Sequence, residues 1–172
     1  MISTSQPQSS ATQPESKLVH PLARFVTKEA IALLLEIEVS EIKDIRCWPN
    51  VILVVAEHLS RFVSYADLPP ILEVEPPKNQ DFITWRKRWK KNENKEAPKF
   101  WVQFYAQKFR QSLSFGELYT WGQMVGVIKF ALSKESLELL RSVFREVWRG
   151  IYSQVNSHAS AKADAAVINL VR

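Results

Sequence analysis

Glycine is scarce in this chain, with four residues in 172. Loops that cradle phosphates in backbone N–H groups depend on glycine, so a Walker-type or dinucleotide-binding loop is disfavoured. Cysteine is scarcer still. Cys47 has no partner for an internal disulfide, which fits a reducing compartment, and beside Trp48 it reads as a small buried hydrophobe. The histidines His20, His58 and His158 are far apart. No His-x-x-x-His, Cys-x-x-Cys or acidic triplet suggests a metal site, and no nucleophile pairs with a base. A binding protein without cofactor, metal or catalytic residues is therefore expected. No apolar run approaches the ~18 residues that span a bilayer. The start, "MISTSQPQSSATQPESK", has no apolar core behind a basic end, so it does not read as a secretory signal. A cytoplasmic protein without membrane or small-molecule partners is the expectation.

Aromatic residues and clustered cations are what the chain does have. Six tryptophans and nine phenylalanines supply large burial or stacking surface. The net charge is +5, and between Asp81 and Gln111 nine Lys and Arg face three acids. That one segment carries the whole positive excess, which is a statement about anionic partners rather than about fold.

Residues 1–17 lack the apolar content to offset ordering entropy and read as a disordered tail. A first module is expected over 18–72, a linker over 73–80 around Pro76 and Pro77, a basic, aromatic-rich helical domain over 81–157, and a tail over 158–172. In the first module Thr27 is an N-cap candidate, with Glu29 in the first turn and Ala30, Leu33 and Leu34 on one helix face. After "EIEV", Ser40 restarts a helix with Ile42 and Ile45 inward, and Pro49 and Asn50 stop it. "VILVVAE" is an apolar, β-branched run that reads as a strand, "HLS" as the tip and "RFVSY" as the returning strand; Ser64 then caps a short turn. In the second module Phe82, Trp85 and Trp89 take helical spacing. Pro98 opens a helix with apolar residues at 100, 101, 104, 105 and 109, and "SFGELYTWGQMVGVIKFAL" is apolar nearly all round and so expected to be buried. Ser133 caps a final helix whose apolar stripe runs 137, 140, 144, 147 or 148, 151 and 155, fit for packing on its own domain or on a second copy.

Val26, Thr27, Glu29 and Ala30, then Val39 and Ser40, then Arg61, Ser64, Asp67 and Leu68 follow the order of a known pattern. Over residues 25–69 the chain resembles the winged helix-turn-helix modules of the MerR and excisionase type. The resemblance implies a mainly α fold with a small β-hairpin wing: an N-terminal winged helix-turn-helix followed by a C-terminal helical domain. The family usually turns on a glycine where this chain has Glu36, and a non-glycine residue at positive φ costs about 1 kcal/mol. The resemblance further implies that Ser40 to Trp48 lies in the major groove, with Lys43 and Arg46 as base or phosphate contacts and Lys28 and Arg61 holding the backbone. Glu41 and Asp44 oppose phosphate, so extra attraction is needed. "TWRKRWKKNENK" offers it through Arg86, Lys87, Arg88, Lys90 and Lys91, with Trp85 and Trp89 as anchors or stacking rings.

The function expected on these grounds is sequence-specific binding of double-stranded DNA by a homodimeric transcriptional regulator. A repressor is favoured, with a role in a mobile element open. Two rivals remain: an interaction adaptor that docks through the aromatic helical domain, and an RNA or single-stranded DNA binder working through the Trp/Lys/Arg segment alone.

Overall fold

A computed structural model describes residues 20–90 and 95–170, with side chains as far as residue 156. The expected tail over 1–17 and Lys91 lie outside the described residues, as do the side chains of the expected tail over 158–172. Helix α1 (Lys28–Leu35) starts where its cap predicts, with the Thr27 hydroxyl accepting from the Ala30 N–H at 3.2 Å. It ends on Glu36, held in the left-handed region at φ 56° and ψ 43°. The Ile37 N–H then donates back to the Ala32 carbonyl at 3.0 Å, a Schellman-type closure.

The next segment corrects the sequence reading. A 3₁₀ turn over Val39–Glu41 leads into a strand, β1 (Ile42–Cys47), where a second helix was expected. β1 pairs antiparallel with β2 (Ile52–Ala56), and β2 with β3 (Ser60–Val63), in the order β1-β2-β3. The physical reason is a bulge. Ile42 faces Ala56 and Asp44 faces Val55, so the register shifts between them and Lys43 is the extra residue. The bulge turns both Ile42 and Ile45 inward, three positions apart, and thereby imitates helical spacing. The β2–β3 hairpin matches the expectation, and a third strand gives it the support that an isolated hairpin lacks. The fold is thus mainly helical with a small three-stranded sheet. The helix expected over Ser40 to Trp48, on which the helix-turn-helix reading rests, is absent from it.

Four further helices follow: α2 (Asn79–Trp89), α3 (Phe100–Gln111), α4 (Phe115–Ile128) and α5 (Lys134–Leu170). They do not close a separate core. One continuous cluster runs from Leu22, Phe25 and Ile31 through Ile52, Val54 and Val63 to Trp85, Trp101, Tyr105 and Leu140. Three aromatic donors bind the halves together. Trp101 Nε1 donates to the Asp67 carbonyl at 2.8 Å, Trp85 Nε1 to Leu68 at 3.2 Å, and the Tyr105 hydroxyl to Pro70 at 2.9 Å. The 73–80 stretch is pinned as well. Arg24 pairs with the buried Asp81 and donates through Nε to the Glu75 carbonyl at 3.1 Å, while Asp81 accepts from the Lys78 N–H at 2.7 Å. Residues 73–80 therefore cross the surface of one body rather than space two apart.

Trp85 and Trp89 are buried at 0% and 2% exposure, which removes them as stacking rings. Cys47 is exposed, not buried as expected. α4 is also less buried than its composition suggests. Leu118, Trp121, Val125 and Ile128 point inward, whereas Tyr119 and Val127 are exposed. α5 starts on Ser133, whose hydroxyl accepts from the Ser136 N–H at 3.1 Å, and its last buried side chain among those described is Ile151.

His20 closes the near end of the core. Its ring stacks on Tyr65 at 4.3 Å, and its Nδ1 accepts from the Leu22 N–H at 3.1 Å. Burial lowers the imidazole below its ordinary value of 6.5, and the Asp81 carboxylate opposes that by less. The unfolded chain then takes up the proton more readily than the native one. The contribution is present above pH 6.5 and is lost as the pH falls from there through the lowered native value. Denaturant unfolding at a series of pH values is expected to show the wild type losing stability against His20→Phe, which keeps a stacked ring but cannot titrate; a constant difference refutes it. Glu36→Gly relieves the left-handed strain and is expected to raise stability by about 1 kcal/mol, a Tm increase of roughly 2–4 °C for a chain of this size. An unchanged or lowered Tm contradicts the strained cap.

Candidate nucleic-acid interface

The residues expected to read DNA fall into two groups that the fold keeps apart. Lys28 opens α1 and is exposed, and Ser40 sits in the 3₁₀ turn, also exposed. Lys43 occupies the bulge of β1. Arg46 lies on the outer face of the sheet, where its Nε donates to Asp44 at 2.6 Å. Asp44 pairs with Arg46, and Glu38 and Glu41 cap the 3₁₀ turn that leads into β1. A bulged strand whose arginine is already paired with Asp44 offers a phosphate little net attraction. The same outer face carries an aromatic pair, Trp48 and Phe62, at 5.7 Å and 45% and 60% exposed.

The second group converges on α2. The segment is helical because Trp85 and Trp89, with Asp81 one turn earlier, fall on one face and are buried there. Its other face is therefore left to solvent, and Ile83, Arg86, Lys87, Arg88 and Lys90 are all exposed on it. Arg88 is held on the sheet side by a two-pronged bond to Asp67, at 2.8 and 3.0 Å, and that bond raises its pKa further. Arg61 on β3 borders the same hollow of about 230 Å³ as Arg88 and Asp67, so the wing cation and the basic helix meet there. Arg86 is held on the opposite side, its guanidinium 4.6 Å from the centre of the Phe130 ring. The Ala97 N–H donates to the Ala131 carbonyl at 2.8 Å, which brings the loop carrying Lys95 and Lys99 beside Lys129.

The result is a basic ridge. Asp81, the one carboxylate of α2, is buried and paired with Arg24, and Asp67 is neutralised by Arg88. Lys87, Lys90 and Arg61 stand exposed with no carboxylate within ion-pair distance among the described residues. Cations in the last turn also complement the helix dipole, a local benefit that accounts for part of the cluster. Sequence reading located α2's contribution and counted Lys95 in the basic segment, but missed Lys129, Phe130 and the pairing role of Asp67, because these come from contacts distant along the chain. Among the described residues no group of three His, Cys, Asp or Glu side chains is placed to hold a metal, and no helix is long and apolar enough to cross a membrane.

No family model, curated protein or solved structure matches the chain.

Proposed function

We propose that the protein is a nucleic-acid-binding protein that grips the phosphate backbone through the α2 ridge, without catalysis and with little sequence readout. The observation that carries this reading is the exposed face of α2, whose own carboxylate is buried and paired and which Arg61 of β3 joins across the Arg88–Asp67 pair. Each phosphate neutralised releases counterions, so a ridge of this kind supplies affinity without base preference. Sequence-specific repression through residues 40–48 has less support, since those residues offer a bulged strand that carries Glu41 and Asp44 beside its two cations in sequence. Strands can also read DNA grooves, but here Arg46 already faces Asp44.

Arg61→Ala, Lys87→Ala and Lys90→Ala combined remove cations that anchor nothing inside the fold. Binding of a labelled duplex, followed by fluorescence anisotropy from about 50 to 200 mM salt, is expected to weaken, with the log–log salt slope smaller by roughly 2–3. Lys43→Ala with Arg46→Ala is expected to leave both affinity and slope in place. The opposite pattern, loss through Lys43 and Arg46 alone, contradicts the ridge and restores a reader on the sheet.

A two-copy protein is the companion proposal. Beyond Ile151 the apolar stripe of α5 continues onto exposed Tyr152 and Val155, beside exposed Trp148. A long helix with such an unsatisfied stripe favours pairing with its equivalent. Sedimentation equilibrium is expected to show a dimer that Tyr152→Glu with Val155→Glu dissociates, and a wild type that is monomeric at all concentrations refutes it.

A further inference from the structure

A second feature lies away from the sheet, between α4 and α5: an open hollow of about 580 Å³. Its floor is apolar, built on Leu140 and Phe144 of α5 and on Gly122 and Gly126 of α4. The two glycines are one turn apart, so α4 shows bare backbone to the hollow. Gly122 has a reason within the chain, since a Cβ there would stand 2.9 Å from the Phe144 ring. Gly126 has none: a Cβ there would meet nothing within 4 Å. Glycine weakens a helix interior, and at 126 it leaves room that no side chain of the described structure fills.

The rim is charged along its length. Lys129 stands at the end of α4, and Arg141 and Arg145 stand one turn apart on α5, with Glu138 bonded to Arg141 at 2.6 Å. The α4 residues lining the hollow run from Tyr119 to Gly126, a rise of about 10 Å, or two helical turns, and Lys129 follows just past the helix end. Two unpaired cations on different elements, Lys129 and Arg145, beside an apolar floor match a ligand with more than one anionic group along an apolar face, rather than one with a single charged head. A bare-backbone floor lets a third helix approach closely.

We propose that this hollow docks an acidic amphipathic helix of another protein, its apolar side chains over Gly126 and its carboxylates toward Lys129 and Arg145, the two rim cations that no carboxylate of the described residues pairs. A second copy of this chain is a poor occupant of the hollow, because the exposed face of α2 is basic and α5 interleaves Glu138 and Glu146 with Arg141, Arg145 and Arg149, so neither offers a run of carboxylates. The site is independent of the ridge apart from Lys129, which borders both.

The probe is a synthetic 18-residue helix with leucines at i, i+3, i+4 and i+7 spacing and glutamates elsewhere, titrated calorimetrically into the full chain. Saturable one-to-one binding is expected. Gly126→Leu fills the hollow without an internal clash, holds or raises the Tm because a helix-interior glycine is removed, and weakens the peptide by at least about tenfold. Arg145→Glu weakens it as well, while the ridge variant lacking Arg61, Lys87 and Lys90 binds it normally. A peptide with lysines in place of the glutamates does not bind. The proposal is overturned if the acidic peptide shows no saturable binding, if Gly126→Leu retains its fold and binds equally well, or if the ridge variant alone abolishes binding. It is likewise overturned if sodium oleate fills the hollow and the peptide does not, which makes the occupant an acyl chain.

Discussion

Three aromatic side chains grip one short stretch of backbone, and the relation between the two halves of the molecule depends on that grip. Residues 67–70 run Asp-Leu-Pro-Pro, and the prolines have no N–H with which to join a ladder. Their carbonyls are carried into the interior, where an unpaired acceptor is costly. The indoles of Trp85 and Trp101 and the phenol of Tyr105 satisfy Leu68, Asp67 and Pro70 in turn. Tyr105 is fully enclosed and its pKa is raised well above the ordinary range by burial, so it stays a donor. Tyr65 does the same for the sheet: its hydroxyl donates to the Trp48 carbonyl at 2.7 Å, and burial, with the Cys47 thiol beside it, pushes it up to about 12. The sheet and the helices are joined through backbone acceptors, which fixes where the Asp67 carboxylate stands and hence where Arg88 and the α2 ridge point.

Much of the local structure could be read directly from the residues. Thr27 and Ser64 cap the turns expected of them, the apolar run at 52–56 pairs with the return at 60–63, and Glu36 takes the left-handed backbone that its position suggested. β1 could not be read, because one bulged residue converts a period of two into an apparent period of three, and Ile42 and Ile45 then look helical. Two domains were expected for a related reason. Pro76 and Pro77 mark a break in local pattern, but the bonds that cross it, from Arg24 to Asp81 and from the aromatic donors to residues 67–70, are between positions that no local pattern connects. Composition misled on α4, whose residues are apolar around much of the helix but whose partners cover one face only.

The charge pattern follows from this packing. Because Trp85 and Trp89 must be buried, the arginines and lysines between them are turned outward together, and their density on one face is a by-product of helical period. Arg86 and Arg88 are each held by a contact, on Phe130 and Asp67, so the ridge is ordered at its flanks and freely solvated along its crest. The sheet, by contrast, mixes acids with bases and presents aromatic rings. Clustered positive charge and the exposed Trp48–Phe62 pair are thus placed on different elements of one body.

Native-state hydrogen exchange tests the single core most directly. If the grip on residues 67–70 joins sheet and helices, the most protected amides of β2, such as Val54, and of α3, such as Phe104 and Tyr105, open with the same free energy and the same denaturant dependence. Opening of the β2 amides at a free energy several kcal/mol below that of α3 means that the sheet unfolds by itself, and contradicts it.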